Sequence, residues 1–126
     1  MIRVLWIGLG GFVGTIARYG VAVGTTAVLG TSAFPYGTLA VNVLGSFALG
    51  IVMSLAVHTT GISPTMRLTL TTGLLGGFTT YSAFNHETFT LLQQRAYALA
   101  ALYIAATVVI CLGAGALGWM AGRLMS

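Results

Sequence analysis

Residues 73–87 read Gly73-Leu74-Leu75-Gly76-Gly77-Phe78-Thr79-Thr80-Tyr81-Ser82-Ala83-Phe84-Asn85-His86-Glu87, in a chain that is otherwise almost continuously apolar. Three glycines fall within five positions, 73 to 77. Each weakens a helix by roughly 1 kcal/mol relative to alanine. The polar run Thr79, Thr80, Ser82, Asn85, His86 and Glu87 follows at once. An ordinary spanning helix needs neither feature. Inside a bilayer, backbone leaves helical geometry only where it is buried in protein or lines a wet cavity, because an unpaired N–H or C=O costs several kcal/mol in hydrocarbon. The stretch therefore predicts a third helix broken near Gly76-Thr80, whose freed carbonyls can hold a cation and whose freed N–H groups can hold an anion. The plainer reading is a helix that ends at Gly76-Gly77.

The flanking sequence identifies the medium. Of 126 residues, 57% are hydrophobic and 5% charged, against about 25% charged in soluble domains. This is a membrane composition. A span needs about 20 apolar residues, so the length accommodates four transmembrane helices in one domain, at about 2–27, 36–57, 64–90 with the break, and 96–122. The expected fold class is an all-α membrane protein. The N-terminal Met1-Ile2-Arg3-Val4-Leu5-Trp6 continues apolar past Arg18 without an Ala-x-Ala-type site, which predicts a retained helix and no cleaved signal peptide. Cys111 is the single cysteine, which excludes an internal disulfide or a cysteine metal cluster. Lysine is absent, and Arg3, Arg18, Arg67, Arg95 and Arg123 face Glu87 alone. That charge is too sparse for a nucleic-acid surface.

Outward from the central stretch, the other helices carry polar residues in register. Helix one holds Gly10-x-x-x-Gly14 and Gly20-x-x-x-Gly24, the spacing that lets helix backbones approach closely. It also holds Arg18, which costs about 2.5–3.5 kcal/mol at a membrane centre and should face protein or water. If helix one instead ends near Tyr19-Gly20, Arg18 snorkels to the interface. On helix two, Thr38, Asn42 and Ser46 recur every four residues, one stripe on an apolar helix. Asn42 needs partners in hydrocarbon, so it either joins two helices or lines a pore, and the stripe favours the pore. Ser63-Pro64 supplies an N-cap and a first-turn proline for helix three. Helix four repeats the pattern with Tyr103, Thr107 and Cys111, beside a small-residue face of Ala114, Gly118 and Gly122. Tyr103 is either a core tyrosine with a satisfied hydroxyl or part of the same polar path.

These residues do not suit catalysis. One carboxylate cannot make an acid/base pair, and His58, His86 and Glu87 are too scattered for a metal site. The expectation is no enzyme. What remains is a permeation path of uncharged dipoles: the Asn42 amide, Ser and Thr hydroxyls, freed backbone groups and aromatic rings. A ring's edge is the positive side of its quadrupole and can face an anion. Tyr81 and Phe84, three apart, lie about 60° from each other on a helix and can border one path. Four helices make a small bundle with no internal duplication, so symmetry is expected from a second copy. Arg3, Arg67 and Arg123 fall on one side, and Arg95 on the other, joined there by Arg18 if helix one ends near Tyr19-Gly20. So even a balance permits insertion both ways, and hence an antiparallel homodimer.

Taken in order, Gly10-Gly11-x-x-Gly14-x-x-x-Arg18-Tyr19, Gly37-Thr38-Leu39-x-Val41-Asn42-x-x-Gly45-Ser46-Phe47 and Gly76-Gly77-Phe78-Thr79-Thr80-Tyr81-Ser82-x-Phe84 with Glu87 resemble the Fluc (CrcB-type) fluoride channels over the whole chain. The resemblance implies an antiparallel, dual-topology homodimer in the bacterial inner membrane. It would have two pores, each lined by both subunits, that passively export fluoride and confer fluoride resistance. Fluoride enters as the neutral weak acid and is trapped as the anion, so a channel suffices for export. On this resemblance Asn42 is the pore amide, Tyr81 and Phe84 hold the two aromatic-box positions, and Thr38 and Ser82 add pore hydroxyls. Gly76 and Thr79 give backbone carbonyls to a structural Na+ at the dimer interface. Tyr103 and Thr107 lie on a polar track, and Arg18 and Glu87 are further functional polar residues. Two positions depart from the family pattern: Tyr81, usually phenylalanine, and Ala83, where threonine is common. The alternative is a small four-helix multidrug or cation transporter, also of dual topology. That function needs a carboxylate in helix one, where this chain has Arg18 and no acid.

Overall fold

The computed structural model covers residues 1–126 and is all-α: α1 (Ile2–Leu29), α2 (Tyr36–His58), α3 (residues 64–78), α4 (Tyr81–Gln93) and α5 (Tyr97–Leu124). Three of these, α1, α2 and α5, are long and apolar enough to cross a membrane. At 1.5 Å per residue, the 28 residues of α1 reach about 42 Å. The remaining helical passage is composite. Its first part, α3, starts as α-helix over Pro64–Leu68, widens to π-helix over Thr69–Leu75 and closes with Gly76–Phe78. Thr79 and Thr80 are extended, and α4 follows them. The chain is a multi-pass membrane protein.

α3 begins as its sequence demands. The Ser63 side chain accepts a hydrogen bond from the Met66 N–H at 3.1 Å, and Pro64 occupies the first turn, where no N–H is needed. The break, however, lies at the far end of the expected window. Gly76 and Gly77 are helical, and geometry is lost only at Thr79-Thr80. Gly77 serves close approach instead: a Cβ there would lie 2.5 Å from the Gly11 carbonyl oxygen of α1. Likewise a Cβ on Gly14 would overlap the Leu74 carbonyl. Glycine thus sets the separation of α1 and α3, in keeping with small-residue membrane packing.

One further expectation changes. α1 stays helical to Leu29, past the alternative end near Tyr19-Gly20, because releasing backbone groups in hydrocarbon costs more than a helical glycine. Gly20 and Gly24, in turn, meet nothing within 4 Å. The break ends α3 at Phe78, level with Gly14, and beyond it α1 meets the start of α2 instead, where a Cβ on Gly37 would lie 3.4 Å from the Ala22 Cα.

On the other side α2 packs along α5. A Cβ on Gly118 would overlap the Phe47 carbonyl, which fixes how closely the two helices lie. Where α4 meets α5, the buried residues Phe84, Leu91, Ala100 and Tyr103 form the core, packed by Phe34, Leu39, Ala96 and Leu99. This core backs the broken helix.

Candidate functional site

Interrupting a helix strands backbone groups, and here side chains take them up. The Thr80 N–H, which in a continuous helix would go to the Gly76 carbonyl, donates to Asn42 Oδ1 at 2.8 Å. Asn42 Nδ2 returns a bond to the Thr80 carbonyl at 3.2 Å. One amide thus takes up the N–H that the break strands and adds a bond to the carbonyl of the same residue. A primary amide has two N–H donors, so one of the two on Asn42 is not used by Thr80. The Ala83 N–H, which would otherwise reach the Thr79 carbonyl, donates to Thr80 Oγ1 at 3.2 Å and caps α4. Consequently the carbonyls of Gly76 and Thr79 both lose the donor a regular helix would give them. These are the two oxygens that the resemblance assigns to a cation.

Beside the break lies a groove of about 470 Å³ between α2, α3, α4 and α5. Asn42 and Ser46 line it from α2, Thr79, Thr80, Tyr81 and Phe84 from the break, and Thr107 and Cys111 from α5. Asn42 and Ser46 of one stripe and Thr107 and Cys111 of the other therefore face the same space, whereas Thr38 and Tyr103 do not line it. Thr107 is buried, and its hydroxyl has no hydrogen-bond partner.

At the groove's inner wall the rings form a continuous series. Tyr81 and Phe84 have centroids 5.5 Å apart at 47°. Phe84 stands 5.2 Å from Tyr103 at 51°, and Tyr103 meets Phe34 edge to face at 5.4 Å. None of these pairs is a parallel stack, so each presents a ring edge as well as a face. Tyr81 is 79% exposed, whereas Phe84 and Tyr103 are buried. Phe34 and Tyr36, 4.7 Å apart and tilted by 46°, extend the series into the connection between α1 and α2 and the first residue of α2. Sequence reading did not single out either, since a loop aromatic carries no periodic signal.

Glu87, the one carboxylate, is fully engaged. Thr38 Oγ1 donates to its Oε1 and Tyr103 OH to its Oε2, each at 2.7 Å. Thus Thr38, Glu87 and Tyr103 form one cluster linking α2, α4 and α5, separate from Asn42 and Thr80. Ser82 sits near the break, its hydroxyl 3.2 Å from Thr80 Oγ1. Arg18 belongs to neither group but lines a second groove of about 280 Å³ with Thr15, Thr38 and Thr80. It stands within α1, partly exposed, and not at a helix end.

A family model described as CrcB-like protein, camphor resistance (CrcB), matches residues 5–119. The fluoride-specific ion channel FluC of Sorangium cellulosum (strain So ce56) is 52% identical over 123 residues, 98% of this chain and 96% of that one. The protein of the same name from Geobacter sulfurreducens (strain ATCC 51573 / DSM 12127 / PCA) is 48% identical over 123 residues, 98% of each chain. A third, from Ruegeria sp. (strain TM1040), is 46% identical over 125 residues, 98% of this chain and 96% of its own. Matched by the family model and by relatives along nearly its full length, the chain belongs to the CrcB family.

Proposed function

We propose that this chain is a fluoride channel of the inner membrane, working as an antiparallel homodimer in which each groove becomes a pore. The observation that carries this reading is the convergence of Asn42, Thr80, Tyr81, Phe84 and Thr107 on one groove. Fluoride is small and strongly hydrated, so a path for it must replace water by donors that do not trap the ion. Neutral donors answer that need, since conduction requires binding that is favourable yet weak enough to release. The Asn42 N–H left over from Thr80 is one such donor, and the tilted rings of Tyr81 and Phe84 supply electropositive edges. The protein carries out no chemical step. Export is passive and driven by the fluoride gradient.

A structural Na+ fits the donor set at the break. The carbonyls of Gly76 and Thr79 have lost their helical donors to Asn42 and Thr80. Two such oxygens from each of two chains would give hard, neutral ligands suited to an alkali cation and not to a soft metal. When bound, the ion would tie the two breaks together and add positive potential near both pores.

The transporter reading needs a free membrane carboxylate for cation and proton. Glu87 is not free, because Thr38 and Tyr103 hold both its oxygens. The test is efflux from liposomes containing the purified chain, with fluoride and chloride measured in parallel. Fluoride release without chloride release is expected. Equal release of both anions, or none of either, would reject the channel.

A further inference from the structure

A second cavity, of about 310 Å³, lies at the connection between α1 and α2 and has no task in the arrangement above. It is lined by Phe34, Tyr36 and Thr38, by Thr25 of α1 and by Glu87 of α4. The groove beside the break is lined by Phe84. Tyr103 lines neither space and is fully buried, yet it touches a wall of each: its ring centroid stands 5.2 Å from that of Phe84 and 5.4 Å from that of Phe34. One ring therefore separates the groove from the second cavity. The Tyr103 hydroxyl marks the same boundary, because it donates to Glu87, and so does Thr38, which lines the second cavity. Phe34 is held in place outside any helix. Its N–H donates to Ser32 Oγ at 3.2 Å and its carbonyl accepts from the Tyr36 N–H at 2.9 Å, while its ring meets Tyr103 edge to face at 81°.

We propose that this cavity is the outer chamber of the fluoride path, joined to the groove past Tyr103, and that Phe34 is a positioning residue whose ring sets that passage. The assignment rests on the channel reading and adds a mouth to it. Two cavities border Glu87, and the lining decides between them. The other, of about 400 Å³, is lined by Ser32, His86, Thr90 and Gln94, with no phenylalanine, no tyrosine and no residue of the α2 stripe. The chamber has Thr38 from that stripe and Phe34 at the end of the ring series that starts at Tyr81. Glu87 suits a mouth and not a binding step. Its oxygens already accept from Thr38 and Tyr103, and its negative charge weakens anion binding where the ion has to leave for water.

Cysteine modification tests the chamber. Thr25→Cys and, in the neighbouring cavity, Gln94→Cys are each made with Cys111→Ser, or with Cys111→Ala if the serine background passes no fluoride. The purified chains are treated with 2-sulfonatoethyl methanethiosulfonate before they enter liposomes, so that every copy is reached. The cysteine thiolate attacks the sulfenyl sulfur, a disulfide forms and methanesulfinate leaves. Intact mass should show one adduct per chain, and fluoride efflux through Thr25→Cys should fall at least fivefold against its own untreated rate, while Gln94→Cys changes less than twofold. No adduct at Thr25→Cys, an adduct with a smaller fall, or a block at Gln94→Cys instead overturns the chamber. Phe34 is tested without any reagent. Phe34→Tyr keeps the ring and should hold efflux within about twofold of the parent; Phe34→Leu, or Phe34→Met if leucine does not insert, should lower it at least fivefold at an unchanged Tm. Equal efflux, or a loss that follows a lowered Tm, would strike Phe34 from the passage. A parent that passes no fluoride defeats the channel reading itself, and the chamber with it.

Discussion

Asn42 holds both backbone groups of Thr80, so a change at its amide acts on the break and on the groove together. Asn42→Asp separates the two roles. One carboxylate oxygen can still accept from the Thr80 N–H, but the other faces the Thr80 carbonyl, and a negative charge enters the path. Fluoride efflux should fall at least tenfold while the protein elutes as before; unchanged efflux would make Asn42 only a helix tie. Tyr81 tests the ring edges. Tyr81→Phe keeps the ring 5.5 Å from Phe84 and should hold efflux within about twofold, whereas Tyr81→Ile should lower it at least tenfold. Because Tyr81 is 79% exposed in the protomer, little packing is lost with its ring. Equal efflux from the isoleucine variant would dismiss the edges. That Asn42 matters was legible in the sequence, since an amide in an apolar helix needs a partner. That the partner is the Thr80 backbone was not, because the pairing joins residues 38 positions apart through tertiary register. The same holds for Glu87, whose partners Thr38 and Tyr103 lie on two other helices.

Element ends carry their own chemistry, and the turn from α4 into α5 shows how far it can be bent. Arg95 has φ 59°, the left-handed region that favours glycine. Its N–H donates to the Leu92 carbonyl and the Ala96 N–H to the Leu91 carbonyl, at 3.0 and 2.9 Å. Together these close the helix in a Schellman motif. Replacing arginine by glycine there relieves the Cβ strain of about 1–2 kcal/mol, partly offset by the greater freedom of unfolded glycine. Arg95→Gly should therefore stabilise the protein in detergent by about 0.5–1 kcal/mol, read as a rise in Tm. A lower Tm would mean that the arginine side chain itself holds the turn. Nothing in Gln93-Gln94-Arg95 announces this cap, since the expected residue is glycine. By contrast Ser63-Pro64 announced the start of α3, because N-cap and proline rules act on neighbouring residues. The break was legible in kind, and in place to within the Gly76-Thr80 window. Glycine frequency marks both helix ends and close helix contacts, and Gly77 turned out to belong to the second kind.

At the scale of the molecule, the question is what covers the groove. A protomer in lipid needs no large core, and only 17 of 126 residues are buried. Exposed apolar side chains are at home there. Exposed polar ones are not, and Tyr81, Ser82 and Asn85 are exposed on the first turns of α4 beside an exposed Gly76. In hydrocarbon such groups demand partners. A second copy supplies them if the two breaks meet, and it would wall the groove at the same time. The arginines indicate how that copy lies. Arg3 opens α1, Arg67 follows the start of α3 and Arg123 closes α5, all on one side, while Arg95 stands at the opposite end of the bundle. Three against one, with Arg18 inside α1, is a weak bias for a rule that counts arginines near the ends of spans. Both insertions should occur, which is the condition for an antiparallel pair. Cys111→Ser leaves no thiol, so Ser126→Cys in that background reports the C-terminus alone. A membrane-impermeant maleimide applied to intact spheroplasts should label about half the chains, and permeabilisation should expose the rest. Labelling of nearly all, or nearly none, before permeabilisation would give the chain a single orientation and rule out the antiparallel dimer.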